Sequence, residues 1–337
     1  MIMRKFYISI LALLVLTAGL LAGCSAPFGG SDSEEEEQAP PEIVIAGGEK
    51  GTSYSNYAAA VYGEMKDVLE DVKFRTDSNT NLIEGLRKVD EGSADITLTQ
   101  GDLLYYADHQ MYYFGEKRLE NLRAMTSCYS VGLQILTRGN FAGESPADLA
   151  GKKILVGEEG SLAALSAAKV LEAYGITGEN AEFVYEKTTE AAEKLRSGDV
   201  DAVFCMGAAP LTSFMKLART DGLKVLPVEG EPAESLMAEA PCYLPYTIPA
   251  GSYVGQEEDI RTLGVKTMLV VNKDVDEELV YVMTRVLYEN KGAVTEANAK
   301  GAELFPQTAA EGVSIPFHSG AARYLREAGA PVETISE

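Results

Sequence analysis

One local pattern occurs twice in this chain, and it restricts the fold more than any other feature. Glu42–Ala46 is a short apolar run of β type; Gly47, Gly48 and Gly51 follow, then Thr52 and Ser53, then a helical stretch from Tyr54 to Leu69. Lys153–Val156 is a second such run. Gly157, Gly160 and Ser161 follow it, then a helical stretch from Leu162 to Tyr174 that stops at Gly175. Strand, glycine turn, hydroxyl cap and helix are predicted at both places. The downstream segments also correspond. Glu84-Gly85-Leu86-Arg87 leads through Gly92 to Asp95-Ile96-Thr97-Leu98, and Glu193-Lys194-Leu195-Arg196 leads through Gly198 to Asp201-Ala202-Val203-Phe204. Residues 43–100 and 153–206 therefore read as two copies of one βαβ layout. Strands alternating with helices predict an α/β fold of mainly parallel sheets with helices on both faces. Two similar lobes imply a cleft between them.

Two extended apolar segments can join the lobes. Val131–Thr137 carries the chain out of the first, and Leu263–Val271 carries it back. Paired crossings of this kind form a hinge. Lobe I is then predicted over 42–130 and 268–337, and lobe II over 131–267. Asp276–Asn290 reads as an amphipathic helix with Leu279, Val282, Met283, Val286 and Leu287 on one face.

Arg4 and Lys5 precede an apolar run from Phe6 to Leu21, closed by Ala22-Gly23-Cys24. A charged start, a short apolar centre and a small-residue exit describe an export signal over 1–23. The exit resembles a bacterial lipobox, in which the cysteine is diacylated and becomes the mature N-terminus. Cys24 is the expected lipidation site, so the protein is expected to be exported and lipid-anchored, facing periplasm or cell exterior. Residues 24–41, with the Glu34–Glu37 run, lack the apolar area to fold and read as an acidic tether.

The net charge is −22 and no basic patch is present, which argues against nucleic acid as a partner. The chain's two histidines, His109 and His318, lie far apart with no cysteine cluster, so no metal or other cofactor is expected. Cys128, Cys205 and Cys242 read as small buried thiols.

The chemistry sits in the glycine turns. A strand–Gly–hydroxyl–helix junction points bare backbone N–H groups along a helix dipole, which favours an anion. Gly51 and Gly160 let the backbone come close to a ligand. Two such junctions, one per lobe at matching positions, predict a carboxylate-bearing ligand held between two helix starts, with Thr52, Ser53 and Ser161 at the turns. Residues 47–53, GGEKGTS, are not a phosphate loop, because Lys50 precedes Gly51 rather than following it. Lys50 reads as a solvated surface residue. Tyr54, Asn79, Asn81, Gln100 and Tyr253 suit hydrogen bonding to a small polar ligand, Tyr54 and Gln100 above all from their places at a helix start and a strand end. Catalytic candidates are weak. Asp95, Asp102 and Asp201 are candidate acids, but Asp95 and Asp201 read as turn or cap residues, Cys205 reads as a core thiol and His318 as a capping or ion-pairing residue. The chain is read as a binding protein, not an enzyme.

The motifs taken in order resemble the TAXI class of TRAP-transporter solute receptors, from Ile43 to Gly329. The resemblance rests on Gly51-Thr52-Ser53-Tyr54, on Gly92–Gln100 with Asp102, and on Asp148–Gly157 with Gly160-Ser161. Asp201–Pro210, Ile248–Gly255, Val280-Tyr281 and His318–Gly329 complete it. It implies a two-lobe periplasmic-binding-protein fold of type II. It also implies capture of a small carboxylate, often glutamate or glutamine, for a sodium-driven TRAP membrane subunit. Ligand contacts would fall near Thr52, Ser53, Tyr54, Asn79, Gln100, Ser161 and the strand end Cys205–Gly207, which includes Met206. The family turn continues after Gly-Ser with Gly, Thr and an acidic residue and has a proline before that glycine; here Leu162-Ala163-Ala164 and Glu159 stand there instead. The fold is unaffected by that departure, whereas the ligand's identity stays open. Two other readings are an enzyme on the same fold and a sensory surface lipoprotein without a transport partner.

Overall fold

The computed structural model describes residues 40–48, 50–78, 80–115 and 117–332. The export signal, Cys24, most of the acidic tether and Asn79 lie outside the described residues. The first part of the chain forms β1 (Glu42–Ala46), α1 (Ser53–Val68), β2 (Lys73–Asp77), α2 (Leu82–Asp90), β3 (Ile96–Gln100), α3 (Gly101–Asp108) and β4 (Leu122–Arg138). Then come β5 (Lys153–Leu155), α4 (Leu162–Ala173), β6 (Glu182–Val184), α5 (Ala191–Ser197), β7 (Ala202–Gly207), α6 (Met215–Thr220), β8 (Leu223–Leu226), α7 (Glu231–Glu239) and β9 (Tyr243–Ile248). β10 (Ile260–Asn272), α8 (Glu277–Glu289), α9 (Lys291–Ala297) and α10 (Ser319–Glu327) complete the chain.

The two predicted copies are two parallel triplets fixed in the same way. β1 lies between β2 and β3, and β5 lies between β6 and β7. Before β3, the Asp95 amide donates to the Val44 carbonyl at 2.7 Å, while Asp95 Oδ2 accepts from the Val44 amide at 2.7 Å. Asp201 repeats this double link with Lys153, at 2.8 and 3.0 Å. Both aspartates thus set strand register.

The sheet differs from the predicted one. It is a single ten-stranded sheet of order β2-β1-β3-β10-β4-β7-β5-β6, with β8 added on β4 and β9 on β10. Its outer triplets are parallel, but its centre is antiparallel. The cause is the crossing strands. The predicted crossings are parts of longer strands: β4 has 17 residues and β10 has 13. They pair with each other, and each also serves both triplets. β10 binds β3 through Thr267–Val271, and β4 binds β7 through Gly132–Thr137. Strands buried on both faces read as continuous apolar runs, which is why these two carry no helical or alternating signature.

Three glycines lie abreast where the crossing strands meet the second half. Gly132 pairs with Gly264 on one side and Gly207 on the other. The Tyr246 ring from β9 fills the space that a side chain at Gly132 would need. Helices then cover the sheet. α8 starts at Asp276, whose Oδ1 accepts from the Leu279 amide at 2.9 Å. Its buried face is Val280, Met283, Val286 and Leu287, with Leu279 and Val282 only half-buried, so the face is turned slightly from the predicted one. No helix among the described residues is long and apolar enough to cross a membrane.

α10 packs on α8 at Gly320, where a Cβ would collide with the Glu277 carbonyl oxygen and lie 2.8 Å from the Tyr281 amide nitrogen. Backbone cannot yield as a side chain can. Gly320→Ala is therefore expected to cost about 1–3 kcal/mol in urea unfolding, in spite of alanine's better helix propensity. A stability equal to or above that of the parent chain would contradict this packing.

Candidate functional site

The first half builds its part of the site at the start of α1. Thr52 caps the helix, its Oγ1 accepting from the Ser55 amide at 3.1 Å. Gly51 before it adopts φ +84°, a conformation that glycine takes without strain. Tyr54, in the first turn, is half-buried, and Gln100 ends β3 beside it. Gln100 Nε2 donates to the Tyr54 hydroxyl in a short hydrogen bond. The two residues that sequence position favoured are therefore in contact. Burial raises the Tyr54 pKa, and Tyr129 and Asp102 nearby add to the effect.

This corner holds buried polar atoms without partners. Gln100 Oε1 and the Tyr129 hydroxyl make no hydrogen bond. An unsatisfied buried group costs about 1–3 kcal/mol, so such groups are rare and call for a cause. Tyr129, on β4, is fully buried, and its ring stands edge-on to Tyr57 of α1 at 4.6 Å. Ser53 and Thr267 lie beside its hydroxyl without completing a hydrogen bond of good geometry. Lys300 Nζ lies 4.1 Å from the centre of the same ring. Sequence reasoning missed Tyr129 and Lys300. No local pattern singles out one tyrosine in a long buried strand, or one lysine near the C-terminus.

The second half repeats the turn. Ser161 caps α4, its Oγ accepting from the Ala164 amide at 3.2 Å. Gly160 has φ +77°, and a Cβ there would strike the Tyr113 hydroxyl. Tyr113 comes from the first half, on a loop in which Gln110 and Tyr112 hold positive φ, a strained conformation for both. Met206 and Gly207 end β7. Gln134 Nε2 donates to the Gly207 carbonyl at 3.0 Å, and Gln134 Oε1 accepts from the Tyr253 hydroxyl at 2.6 Å. That hydroxyl accepts in turn from the Leu211 amide at 2.8 Å. Tyr253 is thus buried with its hydrogen bonding used inside the second half. Among the described residues, Ser161, Met206, Gly207 and Tyr253 make no hydrogen bond to the Tyr54–Gln100 pair. Asn81 caps α2, accepting from the Glu84 amide at 2.9 Å, and Lys50 is exposed.

The halves meet along α3. Asp102 Oδ2 accepts from Ser166 Oγ of α4 at 2.6 Å, with both residues fully buried. Tyr105 donates to the Glu239 carbonyl at 2.9 Å, and the Tyr106 and Tyr243 hydroxyls lie 2.8 Å apart. Burial pushes the Asp102 carboxyl up to about 6, against the hydrogen bonds from Ser166 and the Leu103 amide that favour its charge.

Other candidates have structural roles. His318 Nδ1 accepts from the Gly320 amide at 3.3 Å and caps α10, and burial lowers its pKa. Cys128, Cys205 and Cys242 are free and buried, and burial pushes the Cys205 thiol up to about 12. Among the described residues no group of three or more His, Cys, Asp or Glu could hold a metal ion. Two surface hollows, of about 500 and 390 Å³, lie at the other ends of the parallel strands. One is lined by Lys152 and Asp201 and the other by Glu42 and Asp95, which stand at strand starts. Ligands in such sheets bind beyond strand ends, where the glycine turns are.

The family described as NMT1-like matches residues 45–329. Among solved structures, a TctC solute binding protein from Polaromonas is 16% identical with a TM-score of 0.53, over 87% of this chain and 96% of that one. The periplasmic aliphatic sulphonate binding protein SsuA from Escherichia coli is 14% identical with a TM-score of 0.50, over 86% of this chain and 84% of that one. XAC2383 from Xanthomonas citri, bound to ATP, is 10% identical with a TM-score of 0.51, over 85% and 95%. At these identities the likeness is one of fold. That fold is the two-lobed α/β arrangement of type II periplasmic binding proteins, as the sequence motifs implied.

Asp102 makes stability depend on pH in a defined direction. Its ordinary value is 3.8 and its folded value about 6, so the native state holds the proton more tightly than the unfolded chain. Its contribution to stability is complete below pH 3.8, declines as pH rises to about 6, and stays low above that. Asp102→Asn removes this titration. Relative to the parent chain, the variant is expected to gain up to about 3 kcal/mol between pH 4 and pH 7 in urea unfolding. A difference that does not change with pH would contradict the raised value.

Proposed function

Because the chain belongs to the NMT1-like family, we propose that it is an extracytoplasmic solute receptor for a small carboxylate or amino acid. The observation that carries this reading is the buried Gln100 Oε1, left without a partner beside the hydrogen-bonded Tyr54 at the start of α1. A bound solute would supply that partner. The helix starts at Thr52 and Ser161 favour an anionic group, and the Ser161 hydroxyl keeps a proton to donate. SsuA, named for an aliphatic sulphonate, offers a precedent for an anion on this fold.

The solute would lie between lobe I, residues 42–130 and 268–337, and lobe II, residues 131–267. A solute touching both lobes binds the closed state better and shifts the population toward it. The motif resemblance to the TAXI class favours glutamate or a related acid as solute and a TRAP membrane subunit as the recipient of the closed form. Cys24 would carry the lipid that holds the receptor at the membrane surface, with the acidic tether as spacer.

A thermal-shift screen tests the reading. A solute present at about 100 times its dissociation constant adds roughly 2.7 kcal/mol of stability, and a hit is expected among glutamate, glutamine and related carboxylates. No shift with any of them, on protein shown to be free of carried-over solute, would end the proposal. In calorimetry Ser161→Pro is expected to weaken binding far more than Lys50→Ala. In cells fed a clickable palmitate analogue, the parent chain is expected to take up label and Cys24→Ala to lose it.

A further inference from the structure

We infer that Lys300 reads the charge of the bound solute: its ammonium, held over the Tyr129 ring, pairs with an anionic group while Gln100 and Tyr129 bind a neighbouring hydroxyl or amino group. The inference deepens the receptor reading and rests on it. It commits the site to hydroxy or amino acids over their neutral amides.

Lys300 sits in a short 3-10 turn, Ala299–Glu303, fixed by the Lys300 amide donating to Asn298 Oδ1 at 3.1 Å. The turn lies against β4, where Glu303 Oε2 accepts from the Ser130 amide at 2.8 Å. Among the described residues no carboxylate lies within ion-pair distance of the Lys300 ammonium. Glu303 is close enough to favour the charge, but its carboxylate is directed to the backbone. In a chain of net charge −22, a half-buried lysine that makes no ion pair stands out. Partial burial lowers its pKa, so the charged form is under-solvated where it stands. An anion at that place restores the lost solvation.

The surroundings define what else such a solute carries. Tyr129, under the ammonium, has a buried hydroxyl without a partner, and the nearby Tyr54 is hydrogen-bonded to Gln100, whose Oε1 also has none. An amide oxygen accepts only, so the solute must offer it an N–H or O–H group. A hydroxyl can donate to a carboxylate oxygen. A cation, a donor and an acceptor in one corner match a carboxylate whose neighbouring carbon bears a hydroxyl or amino group. A neutral amide would leave the ammonium unpaired.

The test is calorimetry on the full folded chain with L-glutamate, lactate and malate, each beside the amide in which every carboxylate is replaced by a carboxamide. The parent chain is expected to prefer at least one acid over its amide by tenfold or more. Lys300→Gln is expected to weaken that acid by about ten- to hundredfold, the size of a lost charge-assisted hydrogen bond. Amide binding should be unchanged, and Lys300→Arg should retain the preference. Lys300→Met, which keeps an apolar stem on the Tyr129 ring, replaces the Gln variant if that one does not fold. An unchanged acid-to-amide ratio in the neutral variant overturns the inference and leaves the receptor reading intact. Binding of neutral solutes alone does the same. Binding of nothing overturns both.

Discussion

The antiparallel pairing of β4 with β10 holds the molecule together. Every strand of the first half reaches the second through one of these two, since β3 joins β10 and β7 joins β4. The shared ladder runs from Gly132 and Gly264 to Leu122 and Asn272, with register shifts between Lys266 and Met268 and between Leu269 and Val270. Such irregularities bend a strand and increase its local twist. The twist lets one continuous sheet serve two lobes. In the glycine row, Gly264 and Gly132 leave room for Tyr246 and Gly207 leaves room for Leu211.

This frame also places the polar corner. Tyr129 is a β4 residue, and its amide donates to Thr267 Oγ1 of β10 at 3.2 Å. Gln100 pairs in register with Thr267 from the other side. The unsatisfied hydroxyl and amide oxygen are therefore set by the same ladder that joins the halves. In the proposed receptor, the same few strand residues would couple solute binding to lobe position.

The contact between halves has its own chemistry. Asp102 is fully buried, keeps its hydrogen bond to Ser166, and holds its proton more tightly than an ordinary carboxyl. It follows Gln100 by two residues, so the end of β3 and the start of α3 supply both a polar corner and the link to α4. Tyr113 adds a second link by filling the space above Gly160. Both second-half partners, Gly160 and Ser166, belong to the segment that sequence marked as the second copy of the turn.

The repeated turn and its caps were legible in the sequence because each is a local rule, whereas Asp95 and Asp201, read as turn or cap residues, instead bind the amides of Val44 and Lys153, 51 and 48 positions away. Glycine takes positive φ at Gly51 and Gly160, and a hydroxyl caps a helix at Thr52 and Ser161. Such rules act within a few residues and leave a mark in spacing. The single mixed sheet was not legible, because β4 and β10 are buried on both faces and show no alternation that marks an antiparallel strand. Nor was the use of Tyr253, whose hydroxyl is taken up by Gln134, more than a hundred positions away. Tyr129 and Lys300 lie far apart in the chain, and only the folded sheet stacks one on the other. Sequence alone determined where backbone donors gather; tertiary structure decided which side chains surround them, because those contacts join residues that no local periodicity connects.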